Sequence, residues 1–359
     1  MRPSVLRSQV SVQAVVLHPR TAKVVQHTVV SSQFSLRLCA FKSSIHPGGT
    51  FGGKSLATMA SKTPSIPRQS ASVVVVNPQN EVLLVQRNPK SLSFAGAHVF
   101  PGGNFDQKQD DSIGTTAIRE VFEETGLLLA SRVSGSGGGP SHAEMDNARE
   151  EIHSQRRLFK DFLSQHGLEI ELSALWLFTQ WITPPHIARR FHTQFYVTFL
   201  EGAPAGGFTS GGKQERLPTP DGGQEVIAAR FVHPQTALAE ARANNIVLMP
   251  PQVYLLSTLA DVLTGNKNTE AQRERIRALS QGVFGQMVVQ PRALPQRDEQ
   301  GRTVLTYQGD EARGGAKGRL HRCVCKFQKD GVAIDVVLQR NFDVFTELES
   351  VLSSTTPKL

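Results

Sequence analysis

The residues best suited to chemistry are three glutamates that follow an arginine in the stretch 119–127. Glu120, Glu123 and Glu124 have the i, i+3 and i+4 spacing that places side chains on one face of a helix. Carboxylates so placed repel one another, and a hard divalent cation, which prefers oxygen ligands, turns that repulsion into binding. Three glutamates are by themselves also typical of a solvated acidic face. The surrounding sequence must therefore decide between a metal site and a surface.

The surrounding residues favour the metal site because they resemble the Nudix box, a pattern written G-x5-E-x7-R-E-U-x-E-E-x-G-U, where U is bulky and aliphatic. Every fixed position from Arg119 to Leu127 matches it. Asp111 stands where the pattern has its first glutamate. Gly103 is the best match for the glycine, which makes the intervening loop two residues longer than the pattern. The chain is identified as a member of the Nudix hydrolase family.

The resemblance implies an α/β fold, the Nudix α/β/α sandwich with a mixed sheet, and a metal-dependent enzyme. It implies that Mg²⁺ or Mn²⁺ binds Glu120 and Glu124, often with Glu123, and bridges the oxygens of a diphosphate. It also implies that the metal would activate a water for attack on one phosphorus and that a carboxylate would take the proton of this water. Glu123 is the first candidate for this base and Glu225 the second, although Glu225 also fits an exposed residue at a strand start. Arg119, four residues before Glu123, can hold it in one rotamer.

A second stretch resembles the coenzyme A signature of some Nudix enzymes, L-L-T-x-R-[SA]-x3-R-x3-G-x3-F-P-G-G. Arg87, Gly96 and the run 100–103 have its spacing, which makes Arg87, Gly102 and Gly103 candidate substrate-binding residues. Leu92 stands where the second arginine of the signature belongs, so one cation for the 3′-phosphate of coenzyme A is missing.

The run 181–184, the run 189–195 and a helical insert after the box look like the Nudix motif 19 group. That group is associated with coenzyme A and acyl-coenzyme A diphosphatase activity. Arg189 and Arg190 are paired cations just before a predicted strand, and are candidate phosphate-binding residues or an ordinary surface pair. The expected reaction releases adenosine 3′,5′-bisphosphate and (acyl-)phosphopantetheine. The alternatives are a Nudix diphosphatase for ADP-ribose, NADH or dinucleoside polyphosphates, and a catalytically weak Nudix-fold binding module.

The elements that must position these residues follow from hydrophobic periodicity and from cap and turn residues. Ser112 and Gly126 predict the two ends of the box helix. The other predicted elements are strands at 72–76, 82–87, 174–181, 193–200 and 225–232, helices at 147–165, from Pro234, from Pro250, at 270–280 and at 342–352, and a hairpin of 323–328 with 332–338 turned at Asp330-Gly331.

Three regions are expected: a targeting or disordered segment at 1–70, the Nudix domain at 71–264, and an α+β extension at 265–359 that packs on it. The net charge of +8 comes from the first region, because nine of the 39 Lys and Arg residues and none of the 31 acidic residues precede Glu81. The remainder is almost neutral, so we expect a small nucleotide substrate and neither a nucleic-acid partner nor a membrane partner. The oligomeric state is left open.

Localisation has two competing indications. An acid-free basic N-terminus favours a mitochondrial transit peptide, with a possible second start at Met59. The terminal Pro357-Lys358-Leu359 resembles a peroxisomal address, with proline in place of its small residue. The three cysteines, Cys39, Cys323 and Cys325, lack the usual zinc spacing and are expected to be reduced thiols.

Overall fold

The strands and helices are those of a computed structural model, which describes residues 64–91, 93–133, 139–200, 218–223 and 225–346. The strands are β1 (Arg68–Val76), β2 (Val82–Arg87), β3 (His98–Val99), β4 (Gly102–Asn104), β5 (Ala130–Arg132), β6 (Leu168–Ile170), β7 (Trp176–Ile182), β8 (Phe191–Phe199), β9 (Val226–Val232), β10 (Val288–Val289), β11 (Arg292–Arg297), β12 (Thr303–Thr306), β13 (His321–Phe327) and β14 (Ala333–Arg340). The α-helices are α1 (Ile113–Thr125), α2 (His142–His153), α3 (Phe159–Gln165), α4 (Pro234–Arg242), α5 (Pro250–Ala260), α6 (Glu270–Gln281) and α7 (Val283–Gln286).

The main sheet is mixed, as the sequence predicts. Its strand order is β10-β7-β8-β1-β2-β3, with β4 added beside β1 and β9 beside β2. The pairs β1–β8 and β7–β10 are parallel, and the other pairs are antiparallel. Strand β1, which is parallel to β8, is almost continuously apolar in its second half because both of its faces are covered.

The two faces of β1 belong to two separate hydrophobic clusters, which is the expected consequence of side chains alternating along a strand. Val73 and Val75 pack in the cluster that contains residues of α1, α2 and α3. Val74 and Val76 pack in the cluster that contains residues of α5, α6 and the C-terminal sheet. The α/β/α sandwich with a mixed sheet is therefore confirmed.

The C-terminal residues build a second, antiparallel sheet with the order β11-β12-β13-β14. The predicted hairpin of β13 and β14 is confirmed, with Gly331 at φ 84° in its turn. Strand β10 instead joins the main sheet beside β7. Residues 61–359 form one compact unit, and the boundary proposed at 264/265 stays a prediction.

Two predicted helices differ in the structure. The single helix expected at 147–165 is two, α2 and α3, because Gln155 has φ 57° and leaves the helical conformation. The helix expected at 342–352 is wrong for residues 342–346, which form a bend followed by a turn, and its remainder lies outside the described residues. No helix among the described residues is long and apolar enough to cross a membrane.

Several predictions concern residues outside the described ranges. They are the targeting segment up to residue 63, Cys39, Leu92 and the C-terminal tripeptide. The localisation and the missing second arginine of the coenzyme A signature therefore stay predictions. Cys323 and Cys325 are within the described residues and are buried free thiols.

Candidate active site

The three glutamates lie on α1, whose ends are fixed as the sequence predicts. The Ser112 side chain accepts a hydrogen bond from the Thr115 N–H at 3.1 Å. Gly126 has φ 73°, a left-handed conformation that glycine adopts without the steric cost of a Cβ, and its N–H donates to the Phe122 carbonyl. The helix packs against β1 and β4, which places its polar residues beside the glycines of β4.

Glu120 and Glu124 face the two glycines of β4. The Gly102 N–H donates to Glu124 Oε2 at 3.0 Å. A Cβ added at Gly103 would lie 2.4 Å from the carboxyl carbon of Glu120, so glycine leaves the room that this carboxylate occupies. The other oxygen of Glu124, Oε1, is buried and has no hydrogen-bond partner in the described part of the chain. Two predicted metal ligands and two predicted substrate-binding glycines are thus brought together.

Glu123 shares Arg119 with Glu120, whose Oε1 lies 2.9 Å from Arg119 Nη1, and it has a second partner on α2. Its Oε1 accepts a hydrogen bond from Arg119 Nη1 at 2.8 Å, as the sequence predicts. Its Oε2 lies 3.3 Å from Nδ1 of His153, the last residue of α2. This hydrogen bond and the charge of Glu123 raise the pKa of the His153 imidazole. Glu123 therefore has one partner on each oxygen.

Arg119 is fixed by Asp110, and this corrects the assignment made from the sequence. Arg119 Nε donates to Asp110 Oδ1 at 2.7 Å and Nη2 donates to Oδ2 at 2.8 Å, a bidentate pair that is buried. Asp111, which stands at the matching position of the Nudix box, is exposed. The longer loop before α1 brings the preceding aspartate inward, and Thr116 Oγ1 also donates to it.

The carboxyl groups of Glu120 and Glu124 are protonated more readily than ordinary glutamates. Burial, together with the neighbouring charges of Glu123 and Glu225, raises the pKa of Glu120 to about 7 against the opposing effect of Arg119. Burial and the charge of Glu120 raise the pKa of Glu124 well above its ordinary value. Two largely buried carboxyl groups whose charges are disfavoured by burial and by neighbouring carboxylates fit a divalent cation, which relieves both effects.

The orphaned Oε1 of Glu124 supports the same fit, because a buried acceptor without a partner is costly unless a ligand satisfies it. Among the described residues, no three His, Cys, Asp or Glu side chains are already grouped as a metal site. Arg119 contacts both Glu120 and Glu123, and His153 contacts Glu123. Glu120 and Glu124 are the residues positioned to hold a cation, and the larger predicted ligand set stays a prediction.

Arg87 connects the coenzyme A-like stretch to the glutamates. Its Nη1 lies 3.8 Å from Glu124 Oε1 and its Nη2 lies 3.8 Å from Glu225 Oε2. The Glu225 side chain is 48% exposed. Its backbone N–H donates to Asp221 at 2.8 Å, which fixes the start of β9. Glu225 thus lies beside the box glutamates, although it is distant from them in sequence.

A cavity of about 570 Å³ opens over these residues. Its lining comes from the box helix, from the loop that precedes it, from the end of α2 and from the start of β9; it consists of Gly103, Asn104, Phe105, Asp106, Gln107, Lys108, Arg119, Glu120, Glu123, His153, Gln155 and Glu225. Both candidate bases and one of the two candidate cation ligands therefore border one space.

The paired arginines of the sequence have different surroundings. Arg189 is exposed, and its Nη1 donates to Ser93 Oγ at 3.0 Å. Arg87 Nε donates to the carbonyl of the same Ser93 at 3.2 Å, so both guanidinium groups reach one residue. Arg190 is buried and donates to the carbonyls of Thr183 and Ser65. Arg189 thus lies beside Arg87 and is open to solvent, whereas the guanidinium group of Arg190 donates hydrogen bonds to backbone carbonyls.

Comparison with known proteins finds similarity to Nudix hydrolases. Residues 108–259, which include α1 and the insert, match the model of the NUDT19 Nudix domain. This part of the chain is thus similar to Nudix domains of the NUDT19 group. Among curated relatives, it is similar to the putative nudix hydrolase 7 of Caenorhabditis elegans, with 28% identity over 199 residues. That match covers 54% of this chain and 61% of the relative.

Two further relatives are named acyl-coenzyme A diphosphatase NUDT19. The protein of Xenopus laevis is 25% identical, over 50% of this chain and 59% of the relative. The protein of Gallus gallus is 30% identical, over 40% of this chain and 39% of the relative. The match thus spans less than two thirds of each curated relative. A solved Nudix hydrolase from Alicyclobacillus acidocaldarius is 22% identical, covers 60% of this chain and 96% of its own, and has a TM-score of 0.47.

Sequence reasoning missed three residues around this Nudix box. Asp110 was one position away from the residue that the pattern selected. His153 and Arg149 lie on α2, and Arg149 Nε donates to the backbone carbonyl of Glu123 at 2.6 Å. Their i, i+4 spacing is a weak indication that they share a helix face. Only the packing of α2 on α1 shows which residues they meet.

Proposed function

We propose that this chain hydrolyses the diphosphate bond of coenzyme A or acyl-coenzyme A, with Mg²⁺ or Mn²⁺ as the cofactor. The observation that carries the proposal is the pair of the buried Glu124 and the partly buried Glu120, opposite Gly102 and Gly103 and next to Arg87. The pair fits a cation, and Arg87 joins it to the stretch that resembles the coenzyme A signature. The products are adenosine 3′,5′-bisphosphate and (acyl-)phosphopantetheine.

A divalent cation at Glu120 and Glu124 supplies charge neutralisation of the diphosphate and a water of lowered pKa. The protein must then accept the proton of that water. Glu123 keeps room to do so, because two carboxylate oxygens offer about four acceptor positions and Arg119 and His153 occupy one on each oxygen. Glu225, half-exposed in the same cavity, is the second candidate.

Recognition of the adenosine end is assigned to the guanidinium groups of Arg87 and Arg189. Both reach Ser93, so a phosphate near that residue would meet two cations. This compensates for the second arginine that the coenzyme A signature places at Leu92. One arginine bonded to a phosphate contributes roughly 1.5–3 kcal/mol, which is about 10- to 150-fold in affinity.

The proposal is tested by incubating the purified chain with Mg²⁺ or Mn²⁺ and identifying the products from each of several diphosphates. Coenzyme A, 3′-dephospho-coenzyme A, ADP-ribose, NADH and diadenosine polyphosphates are compared by kcat/KM. We expect coenzyme A to give the highest value, with adenosine 3′,5′-bisphosphate among its products. A higher value for ADP-ribose or a dinucleotide replaces the coenzyme A assignment, and no turnover of any of them favours a binding module.

The arginine assignment has its own test in this comparison. Arg189→Ala is expected to reduce the preference for coenzyme A over 3′-dephospho-coenzyme A by about tenfold or more. Arg242→Ala, which changes an exposed arginine at the end of α4, is the control and keeps the preference. Arg190→Ala is expected to lower Tm, because its guanidinium bonds two backbone carbonyls. An unchanged preference in Arg189→Ala contradicts the assignment.

A further inference from the structure

Helix α2 brings a histidine to the box helix, and no residue pattern of the Nudix box includes it. His153 is the last residue of α2, and its Nδ1 lies 3.3 Å from Glu123 Oε2. Its side chain is 22% exposed and borders the cavity. His153 therefore touches both a candidate base and the space in which the substrate is expected.

Helix α2 is anchored so that His153 has little freedom to move away. Three apolar side chains of α2, Met145, Ala148 and Ile152, are buried in the same cluster as Phe122 of α1. Ser141 and Glu144 form a capping box at its first turn. A helix fixed at its start and along one face holds its last residue in a defined place.

Arg149, one turn before His153, adds a polar anchor. Its Nε donates to the backbone carbonyl of Glu123 at 2.6 Å. Its Nη2 donates to the carbonyl of Thr219, whose N–H in turn donates to the carbonyl of Thr125 at the end of α1. The backbone of Glu123 and the end of α2 are thus joined directly, and Glu123 and His153 cannot drift apart independently.

The residues that follow α2 are tied to the loop that precedes α1. Gln155 Nε2 donates to Asp106 Oδ2 at 3.3 Å. Gln109 Nε2 donates to the carbonyl of Arg157, and its Oε1 accepts from the Phe159 N–H at 2.8 Å. His153 therefore lies between two fixed segments, and its position beside Glu123 is built into the fold.

From this geometry we infer that His153 is a positioning residue for the proposed diphosphate hydrolysis: together with Arg119 it fixes the orientation of the Glu123 carboxylate at the cavity. Arg119 alone bonds Oε1 and leaves the carboxylate able to turn about that contact. The imidazole on Oε2 removes this freedom. The inference rests on the proposed function, in which Glu123 accepts the proton of the attacking water.

The kinetic test is a double-mutant cycle with coenzyme A as substrate and saturating Mg²⁺. His153→Phe removes the hydrogen bond and keeps a ring of similar size. This variant is expected to lower kcat by about tenfold or more with little change in KM. A decrease of this size corresponds to the loss of a hydrogen bond to a charged group. In the Glu123→Gln background the same change is expected to alter kcat by less than about twofold, since the two residues act together.

Two further variants keep this test decisive. His153→Gln retains a donor and is expected to recover part of the lost kcat. His142→Phe changes an exposed histidine at the other end of α2 and is the control with wild-type kcat. An equal loss in the wild-type and Glu123→Gln backgrounds, or a loss confined to KM, overturns the positioning role.

A measurement without substrate separates this inference from the proposed function. In the metal-free protein, the imidazole ¹⁵N resonances of His153 are expected to shift when Glu123 is changed to Gln. Those of His142 are expected to stay where they are. Unchanged His153 resonances overturn the pairing whatever the substrate is. Shifted resonances in a chain that does not hydrolyse coenzyme A support the pairing and reject the proposed substrate.

Discussion

The buried positive charge of Arg119 is compensated by carboxylates that contact its guanidinium group. Its guanidinium bonds Asp110 through two nitrogen atoms and Glu123 through a third contact, and the Asp110 side chain is 0% exposed. Removing one partner of such a pair leaves an uncompensated charge in the interior, which costs about 3–5 kcal/mol. The stability of the box helix and the orientation of Glu123 therefore depend on the same aspartate.

This leads to a prediction with a matched control. Asp110→Asn is expected to lower Tm and kcat together, because Arg119 loses its bidentate partner. Asp111→Asn, one residue later and exposed, is expected to leave both values unchanged. Thermal unfolding and steady-state kinetics of the two variants give the answer. Loss of activity in Asp111→Asn alone would restore the assignment made from the box pattern.

At the residue scale, the sequence predicted the contact of Arg119 with Glu123 because i, i+4 spacing is a property of any helix. The family resemblance selected Gly102 and Gly103 as substrate-binding residues, and their contact with Glu124 and Glu120 was not predicted. The sequence could not identify Asp110, because a loop of altered length changes which of two adjacent aspartates turns inward. It gave no role to His153, since its partner depends on how α2 packs.

At the scale of elements, β4 sets the distance between the sheet and the box helix. A Cβ added at Gly102 would lie 2.2 Å from the backbone oxygen of Ala71, in the neighbouring β1. A Cβ added at Gly103 would meet only the end of the flexible Glu120 side chain. Two adjacent glycines are thus needed for different reasons, one for strand pairing and the other for the carboxylate.

The two glycines give opposite expectations. Gly103→Ala is expected to keep Tm near the wild-type value and to lower kcat and Mn²⁺ affinity, because Glu120 must turn away. Gly102→Ala is expected to lower Tm, because backbone atoms of β1 must move. Calorimetric Mn²⁺ titration and thermal unfolding distinguish them. A Gly103→Ala variant with wild-type metal affinity would exclude Glu120 from the cation site.

The bounds of an element were predicted to within a residue or two where cap residues mark its ends, as Ser112 and Gly126 do for α1. The insert was predicted as one helix because its apolar spacing continues through the break. The break depends on the positive φ of Gln155, and glutamine is not a residue type that indicates a positive φ in a sequence. The short strands β10, β11 and β12 are fixed by their partners in the sheets, so local sequence carries little information about them.

At the scale of the whole molecule, the C-terminal residues complete the core of the Nudix domain. Phe178 of β7 packs against Phe284, with ring centroids 4.8 Å apart, and Trp181 packs against Tyr307 at 5.3 Å. Val289 of β10 is fully buried beside β7. Each large apolar side chain buried here contributes about 1.5–3 kcal/mol, against a total stability of about 5–15 kcal/mol.

A chain that ends at residue 264 is therefore expected to lack a cooperative unfolding transition. The reason is that β7 becomes an uncovered edge and loses Phe284 and Tyr307 as aromatic partners. A chain that begins at residue 59 is the comparison, and is expected to keep both the transition and catalysis. Near-ultraviolet circular dichroism during heating measures this. A cooperative transition in the shorter chain would show that the first 264 residues fold alone.

Glu124→Gln is the most direct test of whether Glu120 and Glu124 hold the cation. The amide keeps the volume of the side chain and removes the charge. We expect kcat at saturating Mg²⁺ to fall below about a tenth of the wild-type value, Mn²⁺ binding to weaken and Tm to be maintained. The exposed Glu150→Gln is the control and keeps wild-type turnover. Retention of more than about a tenth of the wild-type kcat, with unchanged Mn²⁺ affinity, would contradict the account.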